Sequence, residues 1–224
     1  MSVPEHIVIA IDGPAASGKS TVARALAKRL GFDYVNTGAM YRAITWFIVS
    51  KGVPIPDTGR VQQLLHFADI RCGLVNGEST ITIDGDDPAP HLVSEEVNVN
   101  VSAVSSIPEV RRLLVAKQRV YAGGSDVVME GRDIGSVVFP DTEYKFYIDA
   151  SAEIRALRRQ RQGLQDSISA RDKVDSTRRN SPLTIAEDAH VIDSSNLTIE
   201  GVVGEIIGRL KSKGLDVEHV WARR

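Results

Sequence analysis

Apolar and polar positions along the 224-residue chain fall into short strand-like runs alternating with helical stretches. Ile7 to Ile11 is an unbroken apolar run, as expected of a strand covered on both faces. From Lys19 to Leu30, Val22, Leu26 and Leu30 recur at helical spacing, and Gly31 follows as a C′ residue. A second strand-like stretch, Phe32 to Val35, leads into a helix expected from about Ala39 to Lys51 and stopped by Gly52 and Pro54. The region from about 55 to 105 has a different character. There Ile70 to Val75 and Ser79 to Asp84 flank Asn76-Gly77, a strong hairpin signal, and predict an inserted β-containing subdomain. Helical spacing returns from Pro108 to Tyr121. Val127-Val128-Met129 and Tyr144 to Ile148 read as buried strands, Glu153 to Gln162 as a basic helix, Val191-Ile192 as a short strand and Ile199 to Lys211 as a terminal helix. Strands alternating with helices predict an α/β fold with a parallel sheet flanked by helices.

Composition narrows the class. The apolar fraction, 42%, is ordinary for a folded domain, and a chain of this length builds its core without disulfides or metal. The lone cysteine, Cys72, cannot pair within the chain, which suits a reducing compartment. No apolar run is long enough for a membrane span, and no basic leader precedes Ile7 to Ile11; a cytoplasmic protein is expected. A net charge of −2 argues against a nucleic-acid surface. Arginine nevertheless outnumbers lysine 19 to 8, and its rigid fork of donors suits phosphate oxygens. The five histidines (His6, His66, His91, His190 and His219) lie outside every motif and read as structural.

The strongest motif is Gly13-Pro14-Ala15-Ala16-Ser17-Gly18-Lys19-Ser20, a full G-x-x-x-x-G-K-[ST] between a predicted strand and a predicted helix. Such a loop turns backbone N–H groups toward phosphate, and the following helix directs its positive end at the same anion. Lys19 reaches the β- and γ-phosphates; the Ser20 hydroxyl can ligate Mg²⁺, and Thr21 completes the ATP-binding stretch. A P-loop does not name the reaction. The Asn-Lys-x-Asp base reader of a GTPase is absent, as is the apolar run ending in Asp-Glu of an oligomeric ATPase.

Three further clusters fit a phosphorylated acceptor. Asn36-Thr37-Gly38-Ala39-Met40-Tyr41-Arg42 opens a helix, with Arg42 one turn in. Glu130-Gly131-Arg132-Asp133-Ile134-Gly135 follows a predicted strand, where open α/β sheets bind ligands. Arg155, Arg158, Arg159 and Arg161, continuing into Arg171 to Arg179, suit a lid over polyphosphate.

These blocks, with Val101 to Arg111, Arg171-Asp172-Lys173-Val174-Asp175 and Ser181-Pro182-Leu183, resemble bacterial cytidylate kinases over nearly the whole chain. The stretch between Arg161 and Arg171 is shorter than in many members. The resemblance implies a P-loop kinase core (1–37 and 106–224), an NMP-binding insert (38–105) and an arginine-rich lid (155–178). It implies ATP with Mg²⁺ as donor, CMP or dCMP as acceptor, and a monomer that engages neither nucleic acid nor membrane. Lys19, Arg42, Arg132 and Arg158 are then the expected catalytic cations. Arg42 and Arg132 match positions near the acceptor phosphate; Thr37, Arg111, Asp133 and Arg178 match positions near cytosine; Ser102, Arg171 and Asp175 match positions near the sugar. The residues alone leave two alternatives open: another P-loop small-molecule kinase (UMP, AMP or shikimate) and a nucleotide-binding module without turnover.

Overall fold

The computed structural model describes residues 6–161, 168–178 and 182–217, and the side chains of all of these except 168–171 and 173. Seven strands form one sheet: β1 (Val8–Asp12), β2 (Asp33–Asn36), β3 (Ile70–Val75), β4 (Glu78–Ile83), β5 (Val127–Gly131), β6 (Tyr144–Asp149) and β7 (His190–Asp193). Their order is β3-β4-β2-β5-β1-β6-β7, and every pairing is parallel except the β3–β4 hairpin. Eight α-helices are described: α1 (Lys19–Leu30), α2 (Thr37–Ser50), α3 (Thr58–Phe67), α4 (Glu95–Val104), α5 (Pro108–Ala122), α6 (Ala152–Arg161), α7 (Ile168–Thr177) and α8 (Ile199–Ser212). None is long and apolar enough to cross a membrane.

The central strands β1 and β5 are buried on both faces, and strand alternation divides their side chains between two cores. Val8 and Ala10 of β1, with Val127 and Met129 of β5, pack beneath α2, α4 and α5. Ile9 and Ile11, with Val128, pack beneath α1 and α8. Every β1 side chain is buried, so this strand sits rigidly between β5 and β6 and delivers the loop that follows it to a fixed point.

Several expected elements shift. The second helix starts at Thr37, because the Asn36 side chain accepts from the Ala39 N–H and caps it there. The Asn76-Gly77 turn forms as expected, with φ of 52° and 76° at its two residues. The hairpin also extends the main sheet, through Tyr34 opposite Glu78 and a Tyr34 N–H bond to the Gly77 carbonyl of 2.8 Å. Two helices in the 55–105 region were not expected, and side chains cap both: Asp57 accepts from Arg60 N–H, and Ser94 from Val97 N–H. Gln162, the expected end of the basic helix, lies outside the described residues.

Candidate active site

The site is built on strand ends. β1 runs directly into Gly13, which packs against the backbone of β6; a Cβ at Gly13 would lie 2.1 Å from the Ile148 carbonyl oxygen. The loop then turns through Ala16 and Gly18, both at positive φ, into α1. Lys19 is buried, and its Nζ donates to the Pro14 carbonyl at 2.9 Å, folding the side chain back along the loop. The far side of the loop is braced from the C-terminal half of the chain. The Ser17 carbonyl accepts from Ser194 Oγ at 2.8 Å and from Arg158 Nη1 at 3.1 Å, and Arg158 Nη2 donates to the Ser194 carbonyl. Asp172 of α7 accepts from the Ala15 N–H and pairs with Arg155.

A cleft of about 660 Å³ runs from this loop to the ends of β2 and β5. Ala15 to Thr21 line one end; Gly13 and Pro14 lie at the base of the loop instead. Thr37, Arg42, Ser102, Arg111, Arg132, Asp133, Asp175 and Arg178 line the rest, so one cavity unites residues separated by more than a hundred positions.

Their cross-bonding organises the end of the cleft away from the P-loop. Arg42 Nη1 donates to the Leu92 carbonyl at 2.7 Å and to Asn98 Oδ1 at 2.8 Å, which fixes its fork at the cleft wall. Thr37 Oγ1 donates to the Glu130 carbonyl at 2.7 Å, tying α2 to β5. Arg111 and Asp133 form a buried ion pair, their side chains 6% exposed each; the guanidinium also donates to the Ser105 carbonyl and lies over the Tyr41 ring. Asp175, on α7, bridges Arg132 Nε at 3.0 Å and Arg178 Nη2. Burial holds the Arg178 guanidinium below its ordinary value, against the opposing pull of Asp175. Its Nε is buried with no hydrogen-bond partner among the described residues, as is Ser17 Oγ in the donor loop. The side chain of Arg171 lies outside the described residues.

Some site residues escaped sequence reasoning. In the sequence Tyr41 carries no signal beyond its place in the Asn36–Arg42 cluster, yet its ring supports Arg111. Ser194 lies far along the chain from the loop it braces and carries no local signal. Asp172 was visible in the Arg-Asp-x-x-Asp block but without a partner. The acid Asp12 stands at the junction of an apolar strand and the P-loop, and that position was its signal; burial raises its carboxyl from 3.8 to about 7.

The sequence comparisons agree with the geometry. The cytidylate kinase family model matches residues 9–212. A cytidylate kinase of Caldanaerobacter subterraneus subsp. tengcongensis is 46% identical over 211 residues, covering 89% of this chain and 92% of that protein. One from Streptococcus suis is 43% identical over 219 residues (92% and 97%), and one from Streptomyces avermitilis is 39% identical over 216 residues (92% and 94%). With a family match spanning the P-loop, the blocks at residues 36–42 and 130–135 and the arginine-rich segment, this chain belongs to the cytidylate kinase family.

Proposed function

We propose that the chain transfers the γ-phosphate of ATP to CMP, and to dCMP, by direct in-line displacement, as a monomeric cytoplasmic enzyme. The observation that carries this reading is the single cleft holding a P-loop at one end and a cluster of arginines around a buried Arg111–Asp133 pair at the other. Residues 38–105 form its acceptor-side insert and 155–178 its lid.

Both substrates are polyanions, so their repulsion must be cancelled before they approach. Loop N–H groups and Lys19 take the donor phosphates, and Arg42 and Arg132 take the acceptor phosphate. Arg158, within reach of the donor loop through its bond to Ser17, adds positive charge beside them. Asp133 and the Arg111 and Arg178 guanidinium groups read the cytosine edge, which offers an N4 donor beside N3 and O2 acceptors. Ser102 and Asp175 contact the sugar. Holding two reactants in line contributes about 7–11 kcal/mol, and fixed cationic donors around the migrating group add to it. The acceptor oxygen is already ionised near neutral pH, so the chemistry needs no general base.

Among the described residues no group of three or more His, Cys, Asp or Glu side chains is placed to hold a cation. The cleft instead offers the Ser20 hydroxyl at the start of α1. One hydroxyl suits Mg²⁺ that arrives on nucleotide phosphates and keeps most of its waters. When bound, the ion supplies charge neutralisation at those phosphates.

An acceptor panel with coupled detection of ADP tests the proposal. CMP and dCMP should release ADP far faster than UMP, AMP or shikimate. ATP binding without CMP-dependent ADP release would overturn it.

A further inference from the structure

Asp12 closes β1 and is only 6% exposed. Its two oxygens accept from consecutive backbone N–H groups, Oδ1 from Ile134 and Oδ2 from Gly135, each at 2.8 Å. These are the opening donors of a π-helical turn, Ile134–Val138, and the first N–H groups of a helical turn have no partner inside it. The residue before such a turn commonly caps it with its own side chain. Here that residue is Asp133, which makes no cap bond and pairs with Arg111 instead. The cap comes from a different strand, placed by the register that sets Asp12 opposite Gly131.

The division of labour between the two acids has a physical reason. An aspartate at the start of an uncapped turn is drawn to the adjacent orphan N–H groups. Asp12 satisfies those groups first, which leaves the Asp133 carboxylate to pair with Arg111 and face the cleft. Asp12 also directly precedes Gly13, so one side chain joins the start of the donor loop to the loop that carries Arg132 and Asp133.

We propose that Asp12 is a positioning residue: by capping the 134–138 turn it holds Arg132 and Asp133 at the acceptor end and fixes that end relative to the P-loop. The inference rests on the CMP kinase reading. Charge supports the geometry. Burial raises the carboxyl to about 7, with the Gly135 and Ile134 N–H groups opposing it. The charged or titratable groups that act with it are Asp133 and Arg132 on the capped loop and Tyr147 on β6. The ionised form offers lone pairs to both N–H groups; protonation weakens one of those bonds.

The test uses the full chain and Asp12→Asn, in which an amide –NH2 faces one of the two N–H groups. The KM for CMP should rise about tenfold or more and the CMP-to-UMP preference should fall, while ATP affinity, titrated directly, stays within about threefold. An equal loss for CMP and ATP, or unchanged CMP parameters, would overturn the inference. Should Asp12→Asn fail to fold, hydrogen exchange of the wild-type Ile134 and Gly135 amides decides: both should exchange about tenfold or more slowly than free amides, and exchange at the free rate would rule the cap out. A wild-type chain that binds ATP but does not turn over CMP would instead refute the proposed function, so the two failures are distinguishable.

Discussion

Replacing Asp133 with Asn removes one charge from a pair whose side chains are both 6% exposed, at nearly constant shape. Arg111 keeps its bond to the Ser105 carbonyl and its place over Tyr41, but its buried charge loses its counterion. Breaking a buried pair in this way costs about 3–5 kcal/mol. For a chain of this size each kcal/mol moves the melting temperature by about 2–4 °C, so Asp133→Asn should melt about 6–20 °C lower. The double variant Arg111→Met/Asp133→Leu strands no charge and should recover most of that loss. Catalysis should separate from stability. In the proposed reading Asp133 accepts from the cytosine amino group; Asn offers a neutral acceptor there and an NH2 that also suits uracil O4, while Leu offers none, and a hydrogen bond of this kind is worth about 1–3 kcal/mol, or roughly tenfold to a hundredfold in the CMP-to-UMP ratio of kcat/KM. Calorimetry and the coupled assay on the same preparations give both quantities. A double variant as unstable as the single one would show that the penalty does not come from a stranded charge. An unchanged nucleotide ratio in Asp133→Asn would remove Asp133 from base reading.

Lys19→Ala should lower kcat by about a hundredfold to a thousandfold, the usual loss for one preorganised donor, while circular dichroism shows the fold retained; normal turnover would reject the cradle assignment. Gly13→Ala places a methyl 2.1 Å from the Ile148 carbonyl and must push β1 from β6; a loss of about 3 kcal/mol and much weaker ATP binding are expected from urea unfolding and nucleotide titration. The raised carboxyl of Asp12 gives a pH signature with a definite sign. The folded state holds its proton up to about 7 while the unfolded chain releases it near 3.8, so the proton-linked part of this group's contribution to stability is complete below that lower value, declines as pH rises and is gone above about 7. The stability difference between wild type and Asp12→Asn, measured by urea unfolding from pH 4.5 to 8, should fall across that window and then level; a flat difference refutes the assignment.

Much of the fold was legible because local signals agreed with one another. The helix Lys19–Leu30 has the expected bounds: the P-loop starts it, its leucines point into one core and Gly31 ends it at φ 70°. Asn76-Gly77 fixed its hairpin for the same reason, since few residues adopt its backbone without strain. α4 was missed because Val97, Asn98, Val99, Asn100 and Val101 alternate with period two, whereas the buried set, Val97, Asn98, Val101 and Val104, is helical. Its true signals were the Ser94 cap and the acidic first turn at Glu95 and Glu96. In the site, residue types carried the chemistry, so Lys19, Arg132 and Asp133 stood out. Their partners did not. That Asp175 bridges Arg132 and Arg178, or that Ser194 braces Ser17, depends on how distant elements pack.

The bracing of the P-loop has a consequence for the nascent chain. A ribosome completes the Gly13–Ser20 motif early, but the motif's strand has no neighbours until Val127–Gly131 and Tyr144–Asp149 have emerged. The carbonyl of Ser17 waits longer still, for Ser194. Truncated translation products therefore carry the full ATP signature without a formed ATP cradle, and nucleotide retention by a stalled chain reads out whether synthesis has passed the last brace.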